Sequence, residues 1–153
     1  ARTEQWGLGR ARPPVPVGAL PPAWLPVLAP EAVADALQLD APAAVAAAEQ
    51  VLAGRFDVFA LRGAELGFPP DWLRCPRTGT QAPLRFGKTL DYRDERLVGD
   101  IKYLWEPSRH LELVTLAQAA WVTGDARFAS GAMQSLRSWL DQNPYPQGPH
   151  WAS

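Results

Sequence analysis

The chain has 153 residues, a formal charge of −1, and 47% hydrophobic against 20% charged residues. These are the proportions of one ordinary globular domain able to bury a core, and they exclude a disordered tail. Acids and bases are interspersed, so no net field draws the chain as a whole to nucleic acid or to a membrane, and the lone cysteine, Cys75, excludes an internal disulfide and argues against a cysteine-based metal site.

Residues 1–29 are Pro-rich, carry Trp6 and Trp24, and show neither helical nor strand periodicity, which predicts an extended arm whose tryptophans can pin it to a surface. The most apolar early stretch, Val15 to Pro30, is broken by Pro16, Pro21, Pro22 and Pro26, so it is neither a membrane span nor a signal core. Pro30 and Glu31 suit the first turn of a short helix reaching Leu39. Asp40 then reads as the N-cap of a second helix running to Ala53, with Gly54 closing it. The Ala43 to Ala48 run permits close approach of a neighbouring helix.

From Gly54 the character changes. Alternation predicts a short strand or extended segment around Asp57 to Leu61. Turn formers then dominate through Tyr92 and Asp94, a connection long enough to be functional or docked across a groove. Asp71, Asp91 and Asp94 with Arg74 and Arg93 read as loop-fixing ion pairs and Asx turns, and Cys75 as a partly buried thiol.

The segment from Asp100 to Leu113 crowds Lys102, Glu106, Arg109 and His110 together with Tyr103 and Trp105, the pattern of a helix with core on one side and a polar cleft on the other. Pro107 suits a first helical position, so a regular helix is expected from Glu106 to Val122, preceded by a turn over Ile101 to Trp105. Tyr103 and His110 share a face only if the chain stays helical across Pro107. Thr123-Gly-Asp125 is a stop followed by a start, and the next helix, Ala126 to Gln142, repeats apolar groups at Phe128, Ala132, Met133, Leu136, Trp139 and Leu140. So short a connection makes the two helices antiparallel, and Trp105, Trp121 and Trp139 are expected in the core. Asn143 and Pro144 end the pair, and an irregular loop leads through His150 and Trp151. The sequence stops at Ser153 without winding down into polar residues, so a fragment of a longer protein is expected.

Several short motifs occur in one order: Gly54-Arg-Phe56, Asp71-Trp72, Pro76-Arg-Thr-Gly79, Asp91-Tyr-Arg-Asp94, Gly99 through Glu106, Ser108-Arg-His110, Leu116-Ala-Gln-Ala119, Thr123-Gly-Asp125, Trp139-Leu140, Asn143-Pro144 and Gly148-Pro-His-Trp-Ala-Ser153. Together they resemble the N-terminal domain of the heparinase II/III family of polysaccharide lyases, over roughly residues 50–153. The resemblance implies a mainly α fold, an incomplete (α/α) toroid of antiparallel helix pairs over residues 30–153. It also implies a further toroid and a β-sheet domain downstream, and a periplasmic or extracellular setting. The implied activity is β-elimination on an anionic, uronic-acid-containing polysaccharide: the carboxylate is neutralised, a base takes the C5 proton and an acid protonates the leaving oxygen. The family assigns those steps to an Asn-His type motif, a Tyr and a further His lying downstream, and this chain has no Asn-His pair. No catalytic residue is therefore assigned, and no metal or cofactor is expected.

The residues expected to bind glycan or shape its cleft are Lys102, Glu106, Arg109, His110, Asn143 and Trp151. Lys and Arg pair with carboxylates, and Asn both donates to and accepts from hydroxyls. Trp105 and Trp151 can offer a sugar ring an apolar platform, and the loop residue His150 beside Trp151 suits the same surface. Glu106 with Lys102 or Arg109 also has the spacing of an intrahelical ion pair, which alone explains their presence. A non-catalytic glycan-binding module and a protein-interaction helical module are the alternative functions.

Overall fold

A computed structural model describes residues 40–152; the expected arm over 1–29 and helix over 30–39 lie outside the described residues. Helix α1, Ala41–Leu52, begins as expected, with Asp40 Oδ1 accepting from Ala43 N at 3.2 Å and Pro42 in the first turn. Its buried stripe is Ala44, Ala48 and Val51, small side chains that bring the backbone close to its neighbours. Gly54 follows at φ 77°, and a Cβ there would lie 2.7 Å from Gly67 Cα, so both the turn and the packing require glycine.

The single expected strand is a hairpin. Strands β1, Arg55–Val58, and β2, Leu61–Glu65, pair antiparallel with Arg55 opposite Glu65 and an irregularity between Phe56 and Val58. The expected centre at Asp57 to Leu61 falls on the turn, where Phe59 adopts φ 51°. Alternation runs through both strands and cannot mark the reversal. Asp57 marks it instead, accepting from Gly63 N at 2.8 Å and the Arg62 guanidinium at 2.9 Å.

Residues 66–99 are irregular except for a 3₁₀ turn at Gly87–Thr89 and the short α2, Glu95–Val98. The expected Asx turns form: Asp71, Asp91 and Asp94 accept from the backbone N–H groups of Leu73, Arg93 and Arg96. Asp71 also pairs with Arg74, but Asp94 pairs with Arg96, leaving Arg93 to lie over Tyr92. Cys75 is fully buried rather than partly so, in a small core with Ala82, Val98 and Leu104.

The long helix starts later than expected. Asp100 caps α3, Ile101–Trp105, a 3₁₀ turn follows at Pro107–Arg109, and α4, Leu111–Thr123, begins only after His110 has turned left-handed at φ 58°, ψ 35°. Pro107 has no N–H to return to the preceding turn, so the chain tightens and re-enters the helix at a new angle. Gly124 and Asp125 then act as stop and start, and α5 runs over Ala126–Gln142. Ser108 meets Trp139, Glu112 meets Ser135, and a Cβ on Gly131 would meet Leu116, the register of an antiparallel pair. The main core lies where this pair packs on α1 and the hairpin, around Ala48, Val51, Phe56, Val58, Leu116, Ala119 and Phe128.

The buried face of α5 departs from the expected one. Phe128, Gly131 and Ser135 are sealed, whereas Met133 and Leu140 are 49% and 55% exposed, and Trp121 on α4 is exposed as well. The α5 stripe that packs inward is thus made of Phe128 and two small residues, Gly131 and Ser135, while Met133 and Leu140 lie on the opposite, exposed side. The architecture is mainly α with one two-stranded sheet.

Candidate functional site: an aromatic and histidine cluster

The 3₁₀ turn Pro149–Trp151 is the point where distant segments converge. Gly87 N donates to Pro146 O at 2.9 Å and Gly148 N to Arg85 O at 2.7 Å, fastening the turn to residues 85–87. The Trp105 indole donates to Pro149 O at 3.1 Å, and the Trp151 indole to Asn143 O at 3.1 Å. Ring contacts continue on both sides: Tyr92 lies 5.6 Å from Trp105, and Trp151 lies 5.0 Å from Tyr145 and 6.1 Å from Trp139. Such offset and edge-on pairs add to the burial of each ring.

Inside this rim sits His110, 5.5 Å from the Trp72 ring and 5.2 Å from Trp139. Its Nδ1 donates to Glu112 Oε1 at 3.1 Å, and the buried Ser135 hydroxyl donates to the same oxygen at 3.0 Å. The left-handed backbone of His110 delivers the imidazole to this position, and a non-glycine residue there costs about 1–2 kcal/mol. His150 Nε2 donates to Trp72 O at 3.0 Å, since a carbonyl only accepts. Burial pushes the His150 imidazole below its ordinary pKa; the Trp72 carbonyl pulls the other way, and His110 nearby adds to the depression.

The residues expected to bind divide into two groups. His110, Asn143 and Trp151 come together around Trp139, where Asn143 Nδ2 donates to Trp139 O at 2.9 Å. Asn143 is 2% exposed, and its Oδ1 is sealed without a partner among the described residues. It is a packing group rather than an open contact. Glu106 and Arg109 pair with each other at 3.3 Å, the alternative their spacing allowed, and Lys102 is exposed with no side-chain bond to the cluster among the described residues. Glu106 instead lines a separate cleft of about 490 Å³ between α1, β1 and the start of α4.

Sequence reasoning passed over Trp72, Ser108, Glu112 and Ser135. Glu112 carried a signal, a carboxyl two residues after a histidine in a helix first turn, while Trp72 is joined to α5 by contacts spanning 66 and 70 residues. No family model, curated protein or solved structure matches the chain.

Proposed function

We propose that the chain is the N-terminal portion of a lyase-like protein acting on uronic-acid-containing polysaccharide by β-elimination, its residues supplying scaffold and cleft wall. The observation supporting glycan contact is the row Tyr92, Trp105, Trp151 and Tyr145, with the Arg93 guanidinium 4.8 Å from the Tyr92 ring centroid. Sugar rings lay their apolar faces on such platforms, and a guanidinium takes a carboxylate in bidentate geometry. The antiparallel α4–α5 pair supports reading it as one unit of an (α/α) toroid, and both that unit and completion of the toroid belong to the same proposal. Under this reading proton transfer is the task of the downstream Asn-His motif, Tyr and His that the resemblance implies, while here His110 Nδ1 donates to Glu112 and His150 Nε2 to Trp72 O. The aromatic row equally favours a second reading, a helical module that binds glycan without cleaving it.

Alginate, heparin, heparan sulfate and hyaluronan are the substrates to test. The 153-residue chain is expected to bind at least one of them, more weakly in Arg93→Ala and Trp105→Ala, without generating the ultraviolet absorbance of an unsaturated uronate. Failure to bind any of the four overturns glycan contact. Product formed by the chain alone overturns the placement of proton transfer elsewhere.

A further inference from the structure

The cleft between α1, β1 and α4 carries chemistry unlike that of the aromatic row. Its volume of about 490 Å³ falls in the range of small-molecule sites, and Phe56 and Leu111 give it apolar walls. Three carboxyl residues line it, Asp57, Glu106 and Glu112, against the single cation Arg55. Asp57 is taken up by Arg62 and Gly63, Glu106 by Arg109, and the Arg55 Nε by Gln50. Glu112 differs from the other two. It is 6% exposed, and both of its hydrogen bonds, from His110 Nδ1 and Ser135 Oγ, fall on Oε1.

Glu112 Oε2 therefore has no partner among the described residues. It is also not a sealed atom, since the only buried side-chain polar atom without a partner among those residues is Asn143 Oδ1. A nearly buried side chain that lines the cleft thus keeps one carboxylate oxygen unpartnered among the described residues and unsealed. The donors on Oε1 fix its direction in advance, so a ligand need not order it on binding. In so desolvated a position a cationic donor gains more than a neutral hydroxyl, because the Coulomb interaction is less screened and the hydrogen bond is charge-assisted.

We propose that this cleft binds a primary ammonium group carried on a small apolar body, with Glu112 Oε2 as the anchor and Phe56 and Leu111 holding the carbon chain. The site is independent of the glycan reading, since it lies in the cleft of α1, β1 and α4 and not on the aromatic row. n-Butylammonium and its uncharged counterpart n-butanol separate the charge requirement from the apolar one. Titrated into the 153-residue chain, butylammonium is expected to give saturable shifts in the amide resonances of Gln50, Phe56, Gly63 and Glu112, with butanol at least tenfold weaker. Glu112→Gln keeps an oxygen for His110 and Ser135 but lacks the charge, and is expected to weaken butylammonium binding at least tenfold. Ala47→Trp, an exposed α1 position at the cleft remote from that hydrogen-bond network, blocks the space even if Glu112→Gln does not fold, and should abolish the shifts. Equal binding of the two probes, no saturable shift, or unchanged binding in Ala47→Trp overturns the proposal.

Discussion

The half-buried His150 is expected to make folding stability sensitive to acid. Its Nε2 proton is committed to the Trp72 carbonyl, so a second proton must enter at Nδ1 and create an imidazolium in a desolvated pocket. The folded pKa lies below the unfolded value of about 6.5, so as pH falls through 6.5 the unfolded chain gains a proton that the folded chain refuses. Stability is then highest above that pH and declines as pH falls from 6.5 towards the depressed folded value. His150→Gln retains an amide donor for the Trp72 carbonyl and removes the titration. Urea unfolding of both proteins at pH about 7.5 and about 5.5 should show a larger loss for the parent. Equal losses would place the acid sensitivity elsewhere. Little of this was legible in the sequence, where His150 is a loop residue beside a tryptophan; its burial depends on Trp72, 78 residues away.

Local signals were read well at the scale of elements, and boundaries shaped by packing were not. Asp40 and Asp125 cap the helices expected of them, and Gly124 stops α4, because capping depends on neighbours two or three residues away. The start of α4 moved from Glu106 to Leu111 because His110 accepts a left-handed backbone in exchange for reaching Glu112 between two tryptophans, a trade invisible to helical spacing. Gly87 had no local reading beyond turn former, yet a Cβ there would lie 2.6 Å from the Trp151 carbonyl oxygen and 3.0 Å from that of Gly148. Both obstacles are backbone, so Gly87→Ala must part residues 85–87 from the Pro149–Trp151 turn, at about 1–3 kcal/mol for overpacking. The expected result is a lower urea midpoint with red-shifted tryptophan emission as the rim around Trp105 and Trp151 opens. Under the glycan proposal, binding falls in parallel. An unchanged midpoint would mean that the turn yields without cost.

At the scale of the molecule, the problem is how an irregular segment from residue 66 to residue 99 stays ordered against a helical core. Its own small core around Cys75 and Leu104 meets the main one through Tyr103, which packs against both. The second tie is polar and runs to the end of α5. Gln142 Oε1 accepts from Trp72 N at 3.1 Å, while Gln142 Nε2 donates to Pro70 O at 3.3 Å and to Ser138 Oγ at 3.0 Å. Gln142→Ala deletes this amide and leaves the Trp72 N–H and the Pro70 carbonyl without it, each unmet group costing about 1–3 kcal/mol where water cannot replace the lost partner. The loss should fall on the loop before the helices. The Trp72 indole still holds Ser138 at 3.2 Å, and nothing in the core of α1, α4 and α5 is removed. Hydrogen exchange on the variant is therefore expected to quicken at Trp72, Leu73 and Arg74 while amides in the middle of α4 keep their protection, the signature of local opening. Equal quickening in α4 would show that the irregular segment and the helices open only as one unit, with Tyr103 rather than Gln142 as the dominant tie.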